Sequence, residues 1–198
     1  MREAGWDAFG VEPSAAIARE AHIAHDHLFI GRLEDAPFER ASFDLVTFWD
    51  VIEHVPDPIA TLRAARAFLK PSGRLLVETQ NVKSLVARVL RSRWHHYKHA
   101  EHLFHFHRGT LAALLECAGF QAIESTSASA GKYVSGAFIA ERAARLSPLL
   151  SRALSPLSRA LKDGVYVNLF DEMIVLAEPL GDGGPKALEG WLALDGAA

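Results

Sequence analysis

Two stretches of this sequence hold residues whose types and spacing could do chemistry. The first, FDLVTFWDVIEHVPDP from Phe43 to Pro58, runs from an apolar segment into Asp50, Glu53 and His54. Their spacing of i, i+3 and i+4 would gather two acids and an imidazole on one face if the segment were helical. Such a set can move a proton or ligate a divalent cation. The second, WHHYKHAEHLFHFHR, holds His95, His96, His99, His102, His105 and His107, six of the ten histidines. On a helix, His95, His99 and His102 would share a face able to take a transition metal adventitiously, although a solvated surface helix could carry the same residues. Two further acids, Glu12 and Asp35, each follow a short apolar run.

These residues need elements to position them. WDAFGVEPS reads as a strand closed by a turn, AAIAREA as a helix, and HLFIGRLEDAPFER as a short strand with a loop. FDLVTFWDVI is almost continuously apolar, which predicts a strand buried on both faces. Asp57-Pro58 is a helix start, and Ile59, Leu62, Ala65, Phe68 and Leu69 continue at helical spacing until Lys70-Pro71. Ser72-Gly73 predicts a turn before the strand RLLVETQN. RGTLAALLECAGF places Leu111, Leu114, Leu115 and Ala118 on one helical face and ends at Gly119. FQAIEST and VNLFDEMIVLAEPL read as strands. Between them lies an insert of short amphipathic helices with Arg142, Arg145, Arg152 and Arg159 among leucines, expected to act as a cover or an oligomer contact. Alternating strands and helices predict an α/β fold whose ligands sit beyond the carboxyl ends of parallel strands, where Glu12, Asp35 and Asp50 all fall.

In order and spacing, GVEPS, LEDAPF, FDLVTFWDVIEHVPDP, LKPSGRLLVETQN and EHLFHFHRGTLAALLECAGF resemble the class I S-adenosylmethionine-dependent methyltransferases, in particular the group that includes ubiquinone-biosynthesis O-methyltransferases. The resemblance implies a Rossmann-like, mostly parallel sheet with an antiparallel C-terminal hairpin. It also implies S-adenosylmethionine as cofactor and methyl transfer to a small-molecule acceptor, most readily at oxygen. On matched positions, Glu12 would accept hydrogen bonds from the ribose hydroxyls and Asp35 would face the adenine amino group. Asp50, with Trp49 and Val51 beside it, would lie along the methionine part. His54 would be the base on the acceptor side, with His102 as a second residue there. A similar acid-x-x-Glu-His arrangement binds a divalent cation in small-RNA 2′-O-methyltransferases, but no metal ligand is assigned here.

The family carries a first strand and a glycine-rich D-x-G-C-G-x-G loop ahead of the position where this sequence starts. The expectation is therefore a domain over residues 1–180 that lacks that strand and loop, with a helical insert at 138–163 and a flexible tail at 181–198. The alternative is a non-catalytic remnant that serves as a partner module. Composition limits the class further. The 198 residues are 49% apolar and 23% charged with a formal charge of −3, which predicts a soluble globule and gives no basic block for nucleic acid. A lone cysteine, Cys117, fits a reducing compartment, and no apolar run has the length of a membrane span. The cytoplasm is the expected location.

Overall fold

The computed structural model describes residues 4–20, 27–97, 100–149, 152–153 and 164–181. Its main sheet has the order β3-β4-β8-β5, formed by Phe43–Trp49, Leu69–Gln80, Glu172–Pro179 and Phe120–Thr126. β3 and β4 are parallel, whereas β8 runs antiparallel to both β4 and β5. A separate parallel pair joins β1 (Gly10–Glu12) to β2 (Leu28–Ile30). A third, antiparallel pair joins β6 (Lys132–Val134) to β7 (Val165–Val167) and brackets the insert.

One face of the main sheet is covered by α2 (Pro58–Phe68) and α4 (Arg108–Cys117). Leu62 and Ala65 from α2, and Leu111 and Leu115 from α4, are fully buried against Leu75, Val77, Phe120 and Val175. The α2 start follows its sequence signal, since the Asp57 carboxylate accepts the Ala60 N–H at 2.9 Å and Pro58 needs no donor. α4 begins differently. His107 caps it, its Nδ1 accepting the Gly109 N–H at 3.1 Å while Thr110 Oγ1 accepts the His107 N–H at 3.0 Å. α4 ends at Cys117, and Gly119 just beyond its cap has a φ of +86°, the left-handed conformation glycine tolerates. α1 (Ala15–Glu20) and α3 (Leu85–Leu90) are shorter, and α5 (Gly136–Leu146) forms the start of the insert.

The β1–β2 pair is tied to the sheet by aromatic side chains. Phe9 lies edge-on to Phe38 and Phe43 with centroids 5.9 Å from each, and Phe38 in turn meets Phe68 at 5.7 Å. Glu34 adds a polar tie by accepting the Thr61 hydroxyl at 2.5 Å.

Four expectations are corrected. β3 is not buried on both faces, because only Phe48 of its seven residues is buried. β4 alone pairs with it among the described residues, so one edge has no neighbouring strand to cover it. Ser72-Gly73 is not a turn between helix and strand: β4 starts at Leu69, directly after α2, and absorbs Pro71 to Gly73 where its register with β3 shifts. VNLFDEMIVLAEPL is two elements, since Phe170 at φ +56° breaks the run between β7 and β8. The histidine-rich stretch is a series of turns, so helical spacing does not assemble His95 and His102, and His99 lies outside the described residues. The insert beyond α5 and the tail beyond Gly181 lie mostly or wholly outside them as well.

Candidate functional site

At the end of β3 the chain turns at Asp50, whose φ of +51° is uncommon for a residue with a side chain. Residues 51 to 54 form a turn closed by the His54 N–H on the Val51 carbonyl at 2.9 Å. Because this is a turn, Asp50, Glu53 and His54 do not share one face. Glu53 points inward and is fully buried, and its Oε2 accepts the Thr79 hydroxyl at 3.0 Å. Its Oε1 is buried without a hydrogen-bond partner among the described residues. Burial pushes the Glu53 pKa up, partly opposed by hydrogen bonds from the backbone and Thr79 and reinforced by the Asp50 charge.

His54 remains exposed and is fixed from the histidine-rich segment. Its Nδ1 lies 2.8 Å from the Glu101 carbonyl oxygen, so Nδ1 carries the proton and donates it. The Leu103 and Phe104 N–H groups both donate to the Glu53 carbonyl, at 2.8 and 3.2 Å. These bonds bring buried His102 edge-on to His54, with ring centroids 4.6 Å apart.

Asp50 is drawn the other way, toward Lys132 at the start of β6. The Lys132 ammonium donates to Asp50 Oδ2 and, at 2.8 Å, to Glu172 Oε1 at the start of β8. Burial pulls the Lys132 pKa down, but its hydrogen bonds to Asp50 and Glu172 and their charges outweigh that and raise it. Glu172 is raised to about 7: burial disfavours its charge, Lys132 opposes the shift, and Asp50 and Glu78 add to it. One cation thus serves several crowded carboxylates. Nearby, Asp171 accepts the Trp94 indole N–H at 2.8 Å, and His96 Nε2 lies 3.3 Å from Glu172 Oε1.

These groups border a cavity of about 620 Å³. Its lining includes Asp50, His54, His102, Lys132 and Glu172 together with apolar residues of β6, β7 and α5. The sequence-predicted residues therefore divide. Asp50, His54 and His102 come together on this cavity, whereas Glu12, Asp35, Trp49 and Val51 do not line it. Glu12 ends β1, with Oε1 accepting the Ser14 N–H at 2.7 Å, and Asp35 closes a 3-10 turn after β2. Trp49 is half exposed, and Val51 packs against the core.

Among the described residues, two sets of side chains offer metal-ligating atoms within 4.8 Å of one another: Glu53, His54 and His102, and His95, His96 and Asp171. Sequence reading missed Lys132, Asp171 and Glu172. Each is distant in sequence from the motifs: strand pairing brings Lys132 and Glu172 to Asp50, and sets Asp171 against Trp94.

Residues 1–125, more than half of the chain, match the family described as "Methyltransferase domain". The chain is 41% identical over 78 residues to a ubiquinone biosynthesis O-methyltransferase of Xanthomonas axonopodis pv. citri (strain 306), a match covering 33% of each. The corresponding enzyme of Xanthomonas oryzae pv. oryzae (strain PXO99A) is 40% identical over the same length and coverage, so the chain spans about a third of the curated relatives it matches. Among solved structures, it is similar to a SAM-dependent methyltransferase from Archaeoglobus fulgidus with a TM-score of 0.54 and 17% identity, covering 89% of this chain and 78% of that one. It is also similar to Burkholderia thailandensis 1,6-didemethyltoxoflavin-N1-methyltransferase, solved with bound 1,6-didemethyltoxoflavin and S-adenosylhomocysteine, with a TM-score of 0.50 and 17% identity, covering 91% of this chain and 64% of that one. Among the described residues, no helix is long and apolar enough to cross a membrane.

Proposed function

The chain belongs to the methyltransferase-domain family, with the class I S-adenosylmethionine-dependent fold, and from that premise we propose that it methylates a hydroxyl of a small molecule held beside His54. The observation that carries this reading is the Nδ1 contact of His54 with the Glu101 carbonyl at 2.8 Å. It leaves Nε2 as the nitrogen with a lone pair, on a ring that borders the cavity. Neutral imidazole is a base suited to accept the proton that an attacking hydroxyl loses. His102, edge-on to that ring, restricts its rotation and forms part of the cavity wall.

The remaining acids fit a cofactor with a ribose, an adenine and an amino-acid portion. Glu12 and Asp50 end parallel strands and Asp35 follows one, where such folds bind ligands. Glu12 keeps Oε2 without a hydrogen bond among the described residues, and Asp35 is exposed. In this reading Glu12 holds the ribose hydroxyls, Asp35 the adenine edge, and Asp50 the methionine part between Trp49 and Val51. When bound, S-adenosylmethionine supplies an electrophilic methyl group on a sulfonium. The protein's own contribution is to orient the acceptor and take its proton. We assign the activity to the cytoplasm and self-association to the insert.

Among the described residues β4 alone pairs with β3, and that edge favours a second reading, a non-catalytic partner module. Calorimetric titration with S-adenosylhomocysteine separates the two, using the chain alone and with a glycine-rich strand and loop added before Met1. Binding by either form supports the enzyme, and binding by neither supports the module. In a form that binds, His54→Gln should lower kcat about 100-fold or more and leave S-adenosylhomocysteine affinity unchanged. Unchanged turnover would remove His54 from the mechanism.

A further inference from the structure

We propose that the cavity selects an acceptor bearing an anionic oxygen group on an apolar body, with Arg142 as the residue that binds the anion. This rests on the reading of the cavity as an acceptor site. The inference starts from α5, where Phe138, Ile139 and Arg142 all border the cavity. The Arg142 guanidinium stacks over the Phe138 ring, 4.7 Å from its centroid, which holds its plane in place. Its Nε and Nη1 are buried and make no hydrogen bond among the described residues. Glu141, half exposed, forms an ion pair with Nε at 3.6 Å, a distance too long for a hydrogen bond, so the pair leaves the donors unsatisfied.

Buried donors on a permanently charged group carry a desolvation cost that an acceptor would relieve. The planar fork of arginine matches the two oxygens of a carboxylate or phosphate. The other charged groups on the wall do not supply that partner. Lys132 is committed to Asp50 and Glu172, and Asp171 receives the Trp94 indole. Among the described residues Arg142 has no ion pair with Asp50, Asp171 or Glu172, so the guanidinium stands apart from the carboxylate cluster. Val134, Val167 and Leu169 complete an apolar surface around it. An acceptor would thus place its anion at α5, its apolar part against β6 and β7, and its hydroxyl toward His54.

The test needs neither cofactor nor turnover, so it can fail or succeed independently of methyl transfer. Calorimetry with the intact chain compares benzoate with benzamide, its neutral isostere, and with phenyl phosphate. The expected result is a Kd of about 1 mM or tighter for an anionic probe and at least tenfold weaker binding of benzamide. The tighter of benzoate and phenyl phosphate identifies which anion the site prefers. Arg142→Gln should abolish the preference while leaving benzamide binding unchanged, and Arg142→Lys should retain part of it. If Arg142→Gln does not fold, judged by circular dichroism, the lysine variant carries the test through the loss of bidentate geometry. Equal binding of benzoate and benzamide, a preference that survives both variants, or no saturable binding of any probe overturns the proposal.

Discussion

Replacing Lys132 by methionine tests the electrostatic account of the site. The substitution keeps most of the side chain's length and removes the cation that Asp50 and Glu172 share. A fully buried ion pair broken on one side costs roughly 3–5 kcal/mol, and an exposed pair about 0–1 kcal/mol. This network lies between those limits, because the Glu172 side chain is only 8% exposed while that of Lys132 is 38% exposed and open to solvent screening. The expected loss is about 2 kcal/mol near pH 8.

The pH dependence gives the sharper test. The folded-state pKa of Glu172 is raised from 4.5 to about 7, so its ionised form weighs against the folded state. That penalty is absent below the ordinary value, grows as pH rises toward 7, and is complete above it. Without Lys132 the penalty should be larger and extend to higher pH. Urea unfolding followed by circular dichroism should therefore show a smaller loss for Lys132→Met near pH 5, about 1 kcal/mol, than near pH 8. Glu172→Gln, which removes the buried charge, should flatten the pH dependence in either background. A loss that is the same at both pH values, or a variant as stable as the parent, would refute the shared-cation account.

Other perturbations test how the cavity wall is held. Leu111→Ala removes a fully buried side chain where α4 meets α2 and the sheet, and should cost about 2–5 kcal/mol in the same denaturation assay. Trp94→Phe keeps most of the buried ring but takes the indole donor from Asp171, with an expected loss of about 1–3 kcal/mol. If Trp94→Phe acts through that hydrogen bond, adding Asp171→Asn should recover part of the loss, and strict additivity of the two variants would contradict the coupling.

The parts of the fold legible in the sequence are those set by local signals. Asp57-Pro58 marks the start of α2 because capping and proline placement act within one turn, and Gly119 marks the end of α4 for the same kind of reason. Apolar runs likewise indicate β3 and β4, but an apolar run does not reveal what covers it. β3 pairs with one strand among the described residues, so its apolar character exceeds its burial. Periodicity misled where the chain is neither helix nor strand: the i, i+3, i+4 spacing from Asp50 to His54 and the histidine spacing from His95 to His102 fall on turns.

The site's electrostatics depend on contacts that no local pattern contains. Asp50 and Lys132 are 82 positions apart, and Lys132 and Glu172 are 40 apart. They meet because β8 returns antiparallel beside β4, placing Glu172 opposite Gln80, while β6 delivers Lys132 to the same end of the sheet. The same return puts Asp171 against Trp94 and helps seat the histidine-rich segment that fixes His54. A motif could therefore identify Asp50 and His54 as candidates, but the proton on His54 and the partner of Asp50 are set by strand pairing and by one backbone carbonyl.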